Sequence, residues 1–230
     1  MSVYLKQLTR LKLPVIASPM FIVSSPNLVI EQCKAGIIGS FPSLNARDIK
    51  KRSTLKYWLN TINNSIQPTD LYAVNQIIHP SNKRLLQDMS TIAMFRVPIV
   101  ITSLGVKKDI IEAVHSYGGI VLHDVTNNTH AKKAVSKGVD GLIAIAAGAG
   151  GHAGNQSPFA LVEEIREWYS GPLALGGAIS TGRGLAAAIK MGADFGYIGS
   201  PFIATYEATA SSEYKQMILA STAEDIYNTD

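Results

Sequence analysis

The sequence contains very little cysteine: Cys33 is the single cysteine among 230 residues. One cysteine excludes an intrachain disulfide, and a chain without disulfides is typical of a reducing compartment, so we expect a cytoplasmic protein. The expected place of Cys33 is the buried side of the first helix, because a thiol packs there as a small apolar group.

The sequence also lacks an uninterrupted apolar run long enough to cross a membrane. Residues 13–30 carry no charge, but Pro14, Pro19 and Pro26 interrupt them, and three prolines exclude a continuous spanning helix. The excess of positive charge is small: the formal net charge is +4, and the basic residues are scattered along the chain. We therefore expect neither a membrane nor a nucleic acid as a partner.

Several common catalytic signatures are missing as well. No GxSxG, Walker A or GxGxxG motif follows an apolar segment. This counts against serine hydrolases, P-loop NTPases and Rossmann dinucleotide-binding folds. The chemistry of the chain has to come from other residue patterns.

What the sequence does contain is enough apolar material for a large core. Hydrophobic residues make up 47% of the chain and charged residues 17%, which excludes disorder as the main state. Its length falls within the range of roughly 200 to 250 residues that α/β barrels occupy as one unit. We predict a single domain over residues 1–230, with little or no additional C-terminal domain.

Eight short segments rich in Val, Ile and Leu alternate with helical patterns, which predicts a parallel sheet built from βα units. The segments begin near Val15, Ile37, Leu71, Val97, Gly119, Gly141, Leu173 and Phe195. Most are apolar throughout, as expected for strands covered on both faces. The predicted fold class is α/β, in the form of a compact (β/α)8 TIM barrel with its site at the carboxyl ends of the strands.

Serine, proline and glycine mark the expected helix boundaries. Ser25-Pro26 and Ser157-Pro158 each supply an N-cap hydroxyl followed by proline at the first helical position. The second pair opens a helix predicted over 158–169, and a last outer helix is predicted over 211–220. Left-handed glycines are expected after four helices, at Gly36, Gly118, Gly138 and Gly192.

Small residues follow the seventh and eighth predicted strands. Gly176, Gly177 and Ala178 come after one strand, and Gly199 and Ser200 after the next. A TIM barrel builds its phosphate site at these two strand ends, and residues without bulk let a phosphate approach the backbone N–H groups. A helix predicted to begin near residue 180 or 181 adds its dipole to the same place. The alternative is that the small residues serve only close helix packing.

One histidine lies in a glycine-rich loop after the sixth strand. Gly150, Gly151 and Gly154 surround His152 with backbone that permits a close approach, and such a loop at a strand end favours a functional role over a structural one. Asn75 ends an otherwise apolar strand; it is expected to bond either a ligand's ring edge or a neighbouring strand. Further polar residues at predicted strand ends are His79, Ser103, His123 and Asp124. A metal site built from His79, His123, Asp124 and His152 is disfavoured because no two histidines have the spacing that pairs ligands.

In five segments the chain resembles the nitronate monooxygenases, formerly called 2-nitropropane dioxygenases, which are FMN-dependent TIM barrels. These segments are LPVIASPM at 13–20, AGIIGSF at 35–41, AVNQ at 73–76, AGAGGHAG at 147–154 and PLALGGAISTGRGLAAAIKMGADFGYIGSPFIAT at 172–205. The combination of the glycine-histidine loop with the GRG helix and the GAD strand is specific, and the resemblance covers nearly the whole chain.

The resemblance implies FMN as the cofactor and His152 as the catalytic base. It implies FMN contacts at Met20, Asn75, Gly150, Gly177, Ala178, Tyr197, Ile198, Gly199 and Ser200. The chain departs from the family pattern at Ile145 and Gly148, where Gln and Glu are frequent, and at Ser200-Pro201, where Thr-Arg is usual. Family members also continue past the eighth strand, so a chain ending at Asp230 is expected to be either a short member or a truncated one.

Three functions follow as hypotheses. The first is an FMN-dependent monooxygenase that denitrifies alkyl nitronates or nitroalkanes with dioxygen, His152 removing the α-proton of the neutral substrate. The second keeps FMN but takes electrons from NAD(P)H and passes them to a quinone or an enoyl thioester. The third is a flavin-free barrel for a phosphate ligand, for which a lysine at a strand end would be the signature; none of the eight strands ends in one.

Overall fold

A computed structural model describes residues 8–47 and 54–227. The described residues form eight strands, and each begins within two residues of its predicted position, so the predicted strand pattern is confirmed. They are β1 Val15–Ala17, β2 Gly39–Pro42, β3 Tyr72–Ile77, β4 Ile99–Ser103, β5 Ile120–Val125, β6 Gly141–Ile145, β7 Leu173–Gly176 and β8 Phe195–Ile198.

A helix follows each strand. In chain order they are α1 Pro26–Lys34, α2 Leu55–Asn63, α3 Leu85–Met94, α4 Lys108–His115, α5 Asn128–Ser136, α6 Pro158–Arg166, α7 Gly182–Lys190 and α8 Ser200–Ile203, and α9 Ser212–Ala220 comes after the barrel. Short 3-10 turns occupy Leu8–Arg10, Ser43–Asn45 and Ala223–Asp225. Among the described residues, no helix has the length and apolar character needed to cross a lipid bilayer.

All strand pairs are parallel, and the sheet closes on itself. The hydrogen-bonded order is β1-β8-β7-β6-β5-β4-β3-β2, and a bridge between Ile16 and Ile38 joins β1 to β2. The fold is therefore the predicted (β/α)8 TIM barrel, and it brings the carboxyl ends of all eight strands to one rim.

The alternation of side chains along each strand divides the core into two layers. Inside the barrel lie Ile16, Ile38, Ala73, Ile99, Ile101, Ile120, Leu122, Ile143, Ala174 and Phe195. Between the barrel and its helices lies a larger layer that includes Val74, Val100, Val121 and Leu142. Leu8 packs with the inner layer, where the remaining gap has no room for a water molecule. Side chains therefore fill the interior of the barrel, and a ligand site has to lie at the rim formed by the carboxyl ends of the strands.

Most of the predicted helix boundaries are confirmed, and two are corrected. Ser25 accepts a hydrogen bond from the Leu28 N–H and caps α1, and each glycine predicted after a helix has a positive φ. Pro158 does open α6, but the hydroxyl of Ser157 makes no capping hydrogen bond. The same helix ends at Arg166 rather than at 169, and the Arg166 guanidinium donates to the Tyr169 and Gly171 carbonyls beyond its end.

Candidate active site

Three polar side chains from neighbouring strands lie at the bottom of the candidate site, inside the rim. They are Asn75, Ser103 and Asp124, and we call them the floor triad. Each follows an inward-facing apolar residue by two positions, so the strand pleat turns it toward the barrel axis. Asn75 Nδ2 donates to Ser103 Oγ at 2.7 Å and to the Ile101 carbonyl at 3.3 Å. Ser103 Oγ in turn donates to Asp124 Oδ2. The triad therefore forms one hydrogen-bonded chain across β3, β4 and β5.

Burial changes the acidity of Asp124. Loss of hydration raises the pKa of its carboxyl to about 6, against smaller opposing effects of the Ser103 hydrogen bond and the positive charge of His152. Tyr197 lies on the other side of the floor, where it packs against the inner core layer. Burial and the charge of Asp124 raise the pKa of the Tyr197 phenol, while the Ser18 hydroxyl lowers it. Tyr197 is therefore a neutral phenol at ordinary pH.

The glycine-rich loop after β6 holds His152 in an exposed position at the rim. The loop is fixed at both ends, because the Ala147 N–H donates to the Gln156 carbonyl at 2.8 Å and the Ala178 N–H to the Gly148 carbonyl at 2.9 Å. Gly154 has to be glycine, since a Cβ there would lie 2.1 Å from the Ile145 carbonyl oxygen. Gly150 is different: a Cβ at that position would meet nothing within 4 Å.

The ends of β7 and β8 carry the small residues predicted for a phosphate site. Gly177 has a φ of +156°, and its Cβ would lie 2.9 Å from the Ala147 carbonyl oxygen, so a side chain is excluded. The N-cap of α7 is Thr181, whose Oγ1 accepts from the Gly184 N–H at 3.1 Å. The N–H groups of Gly182 and Arg183 belong to the first turn, which has no acceptor within the helix.

Ala178 lies at this rim, but its backbone N–H donates to the Gly148 carbonyl. This N–H is thus paired with the glycine-rich loop, and the FMN contact implied at Ala178 stays a prediction. Ile198 lies at the neighbouring strand end, and its FMN contact stays a prediction. Its side chain points away from the axis and packs with Val15, Ala17 and Leu185 under α7, while its carbonyl accepts from the Ser18 N–H at 2.7 Å.

Met20 and Gly199 meet where β1 and β8 adjoin. A Cβ on Gly199 would lie 3.5 Å from the sulfur of Met20 and 3.4 Å from Ser18 Cβ. Ser200 follows as the first residue of α8 and is exposed. The structure thus brings eight of the nine predicted FMN contacts and His152 to one rim, and leaves out the side chain of Ile198.

The histidines considered for a metal site do not converge. His79 is exposed and bonds Ser81 through Nδ1 at 2.9 Å. His123 faces outward beneath the helices, where its Nδ1 lies 2.8 Å from Thr102 Oγ1. Within the described ranges, no group of three or more His, Cys, Asp or Glu side chains comes close enough together to hold a metal ion.

Asn45 is a residue of the site region that the sequence gives no reason to select. Its Oδ1 accepts from the Ile22 N–H at 3.0 Å, and its Nδ2 donates to the carbonyls of Met20 at 3.0 Å and Ser24 at 2.9 Å. Ile22 has a φ of +68°, which is costly for a β-branched residue. The three hydrogen bonds hold the loop that carries Met20 in this strained conformation.

We expect Asn45→Ala to lower the free energy of unfolding by about 1 to 3 kcal/mol, because it leaves polar backbone groups without partners. Urea unfolding measures the change. The matched control is Asn60→Ala on the exposed side of α2, where a change within about 0.5 kcal/mol is expected. Equal effects of the two substitutions would show that Asn45 does not support the loop.

His123 predicts a pH dependence of stability. Burial, with a smaller effect of nearby His130, lowers the pKa of its imidazole to about 4 despite the Thr102 hydrogen bond. The folded state therefore keeps His123 neutral. The free energy of unfolding decreases as the pH falls from 6.5 toward 4, because in this range only the unfolded chain takes up the proton. Relative to His123→Gln, wild type should lose about 3 kcal/mol of stability between pH 7 and pH 4. A constant difference between the two proteins in urea unfolding would contradict the assignment.

The fold and the rim define the class of the chain: a TIM barrel whose candidate ligand site combines small residues, a histidine in a glycine-rich loop and a polar floor at the carboxyl ends of its strands. The chain belongs to the nitronate monooxygenase family, whose sequence profile matches residues 2–229. The family predicted from the five sequence segments is thereby confirmed.

Two curated relatives match most of the chain. The nitronate monooxygenase of Paraburkholderia phytofirmans is 26% identical across 91% of this chain and 68% of the relative. The (3aS,4S,5R,7aS)-5-hydroxy-7a-methyl-1-oxo-octahydro-1H-indene-4-carboxyl-CoA dehydrogenase of Rhodococcus jostii is 26% identical across 96% of this chain and 60% of the relative. With a third curated relative included, a putative monooxygenase of Mycobacterium tuberculosis, the chain spans from 32% to 68% of the length of the relatives it matches.

Among solved structures, FabK from Thermotoga maritima superimposes with a TM-score of 0.85 at 23% identity, across 98% of this chain and 70% of that chain. At this identity the likeness supports the fold alone.

Proposed function

We propose that the chain binds FMN at the rim and oxidatively denitrifies alkyl nitronates or nitroalkanes with dioxygen. The observation that carries the proposal is the position of His152, which lies on a glycine-rich loop at the same rim as the floor triad and the small residues of β7 and β8. Family membership supports it, since the matching profile is that of nitronate monooxygenase.

The residues present fit a flat ring with a phosphate tail. The open space at Gly150 is what a ring beside the loop requires, and a Cβ on Gly182 would likewise meet nothing within 4 Å. Both N–H groups of the Asn75 side chain are used by protein acceptors, so its Oδ1 is left to accept the ring N–H of a flavin. The first turn of α7 offers N–H groups and a dipole to a phosphate.

FMN, when bound, supplies the acceptor for the substrate's electrons and the reaction with dioxygen. The protein binds and orients, and His152 moves a proton. When a neutral nitroalkane binds, the α-C–H bond breaks, its electron pair stays on the substrate as a nitronate, and the imidazole accepts the proton. A preformed nitronate does not need this step.

The absorbance spectrum of the purified protein tests the cofactor. Bound flavin is expected, and a colourless protein that does not take up added FMN would leave a flavin-free phosphate barrel as the better reading. Anaerobic stopped-flow mixing then tests the substrate: bleaching of the flavin by a nitronate is expected.

A second candidate is an oxidoreductase that takes electrons from NAD(P)H and acts on a quinone or thioester. It is favoured by the match to a carboxyl-CoA dehydrogenase across 96% of this chain. Rapid bleaching by NADPH, without bleaching by a nitronate, would select it. A cytoplasmic location is part of either proposal and is supported by Cys33 being the single cysteine of the sequence, which allows no intrachain disulfide.

A further inference from the structure

Asp124 has no role in the chemistry proposed above, yet the floor triad is built around it. Ser103 has one hydroxyl proton and donates it to Asp124, while its oxygen accepts from Asn75 Nδ2. Both hydrogen bonds run toward the carboxyl group, which makes the carboxylate the final acceptor of the chain. The arrangement therefore fits the ionised form of Asp124.

The glycine-rich loop folds back over the end of β5, the strand that carries Asp124. A Cβ on Gly154 would lie 3.5 Å from Thr126 Cβ, and Thr126 is two residues beyond Asp124. On its other side the loop is bonded to Ala178 after β7. His152 is two residues from the contact with Thr126, so the loop places it near the end of β5, the strand that carries Asp124.

Among the described residues, two titratable groups interact electrostatically with Asp124: His152 on the loop after β6, and Tyr197 on β8. Ser103 on β4 and Asn75 on β3 are uncharged. Since burial keeps Tyr197 a neutral phenol, His152 is the group of this set that can carry a positive charge opposite the carboxylate.

We propose that Asp124 is a positioning residue for the base: its carboxylate, held by the floor triad, stabilises the imidazolium that His152 becomes when it accepts the α-proton of the substrate. Coupling between two sites is reciprocal, so a positive charge that favours the carboxylate is itself favoured by it to the same extent. The inference rests on the proposed function for the role of His152 as base, whereas the coupling itself concerns only two side chains of this chain.

The titration of the Asp124 carboxyl carbon, followed by NMR, tests the coupling without any turnover. In wild type the pKa of Asp124 is expected at about 6. In His152→Gln, or in His152→Asn if the first variant fails to fold, we expect it to be higher because the favourable positive charge is lost. Ser103→Ala is the control for sensitivity, since loss of the donated hydrogen bond also raises this pKa. An unchanged Asp124 titration after the loss of His152 would overturn the proposal.

Asp124→Asn tests the consequence for catalysis. With neutral nitroalkane, kcat should fall severalfold, while turnover of preformed nitronate should persist. The ionisation of Asp124, with its pKa expected at about 6, should disappear from the pH profile, and that of the base should remain. A merely structural role would lower turnover of both substrates and leave the profile's shape unchanged, which would contradict the proposal. If wild type turns over neither substrate, the proposed function fails, and the carboxyl titration still decides the coupling.

Discussion

His152→Ala is expected to lower turnover of a neutral nitroalkane about 10²- to 10⁴-fold, the usual contribution of a positioned base. Turnover of a preformed nitronate should be largely retained, because that substrate arrives without the α-proton. The side chain is exposed at the rim rather than part of the core, so its removal should not affect folding. Steady-state rates with both substrates, on protein with matched flavin content, measure the difference.

His79→Ala is the matched control for this prediction. His79 is also an exposed histidine, and it follows β3 on the same rim, where it bonds Ser81. Its removal should leave both rates unchanged. Equal losses with both substrates in His152→Ala, with flavin still bound, would show that His152 is not the base.

Gly154→Ala is expected to have the second largest effect. The new Cβ would lie 2.1 Å from the Ile145 carbonyl oxygen, a backbone atom that cannot rotate away as a side chain could. The loop has to move, at a cost of about 1 to 3 kcal/mol for overpacking. Because His152 moves with the loop, turnover of neutral nitroalkane should fall about 10²-fold, as expected for a displacement of about 1 Å.

Gly150→Ala in the same loop separates the fold from the ligand. Its Cβ would enter open space, so the free energy of unfolding should change by less than about 0.5 kcal/mol. If FMN lies beside the loop, this methyl group should nevertheless weaken flavin binding, which fluorescence titration of the apoprotein measures. Wild-type flavin affinity in Gly150→Ala would place the ring elsewhere, and wild-type stability in Gly154→Ala would contradict the close contact.

Much of the barrel could be predicted because its signals are local. Strands covered on both faces are nearly continuous apolar runs, and the left-handed glycines after the helices need no partner to be recognised. Ser157 shows where local reasoning stops: serine before proline is a good capping pair, but the cap also depends on how the long loop before it approaches the helix.

The sequence predicts which residues form the candidate site better than it predicts the hydrogen bonds between them. The small residues, Asn75 and His152 stand out along the chain. That the Ala178 N–H is taken by Gly148, and that Ser103 links Asn75 to Asp124, depends on loop paths and on neighbours 20 to 30 positions away in sequence. Asp124 was visible as a polar strand end, but its partners were not.

Two adjacent residues of β5 lie on opposite faces of the sheet. His123 is a neutral imidazole under the helices, and Asp124 is a carboxylic acid in the candidate site. Their separation depends only on the pleat of the strand, so a slip of β5 by one position would exchange them. The imidazole would then enter the site and the carboxyl group the apolar layer. The turn after α4, which leads the chain into β5, therefore helps to determine which of two adjacent titratable side chains lies in the site.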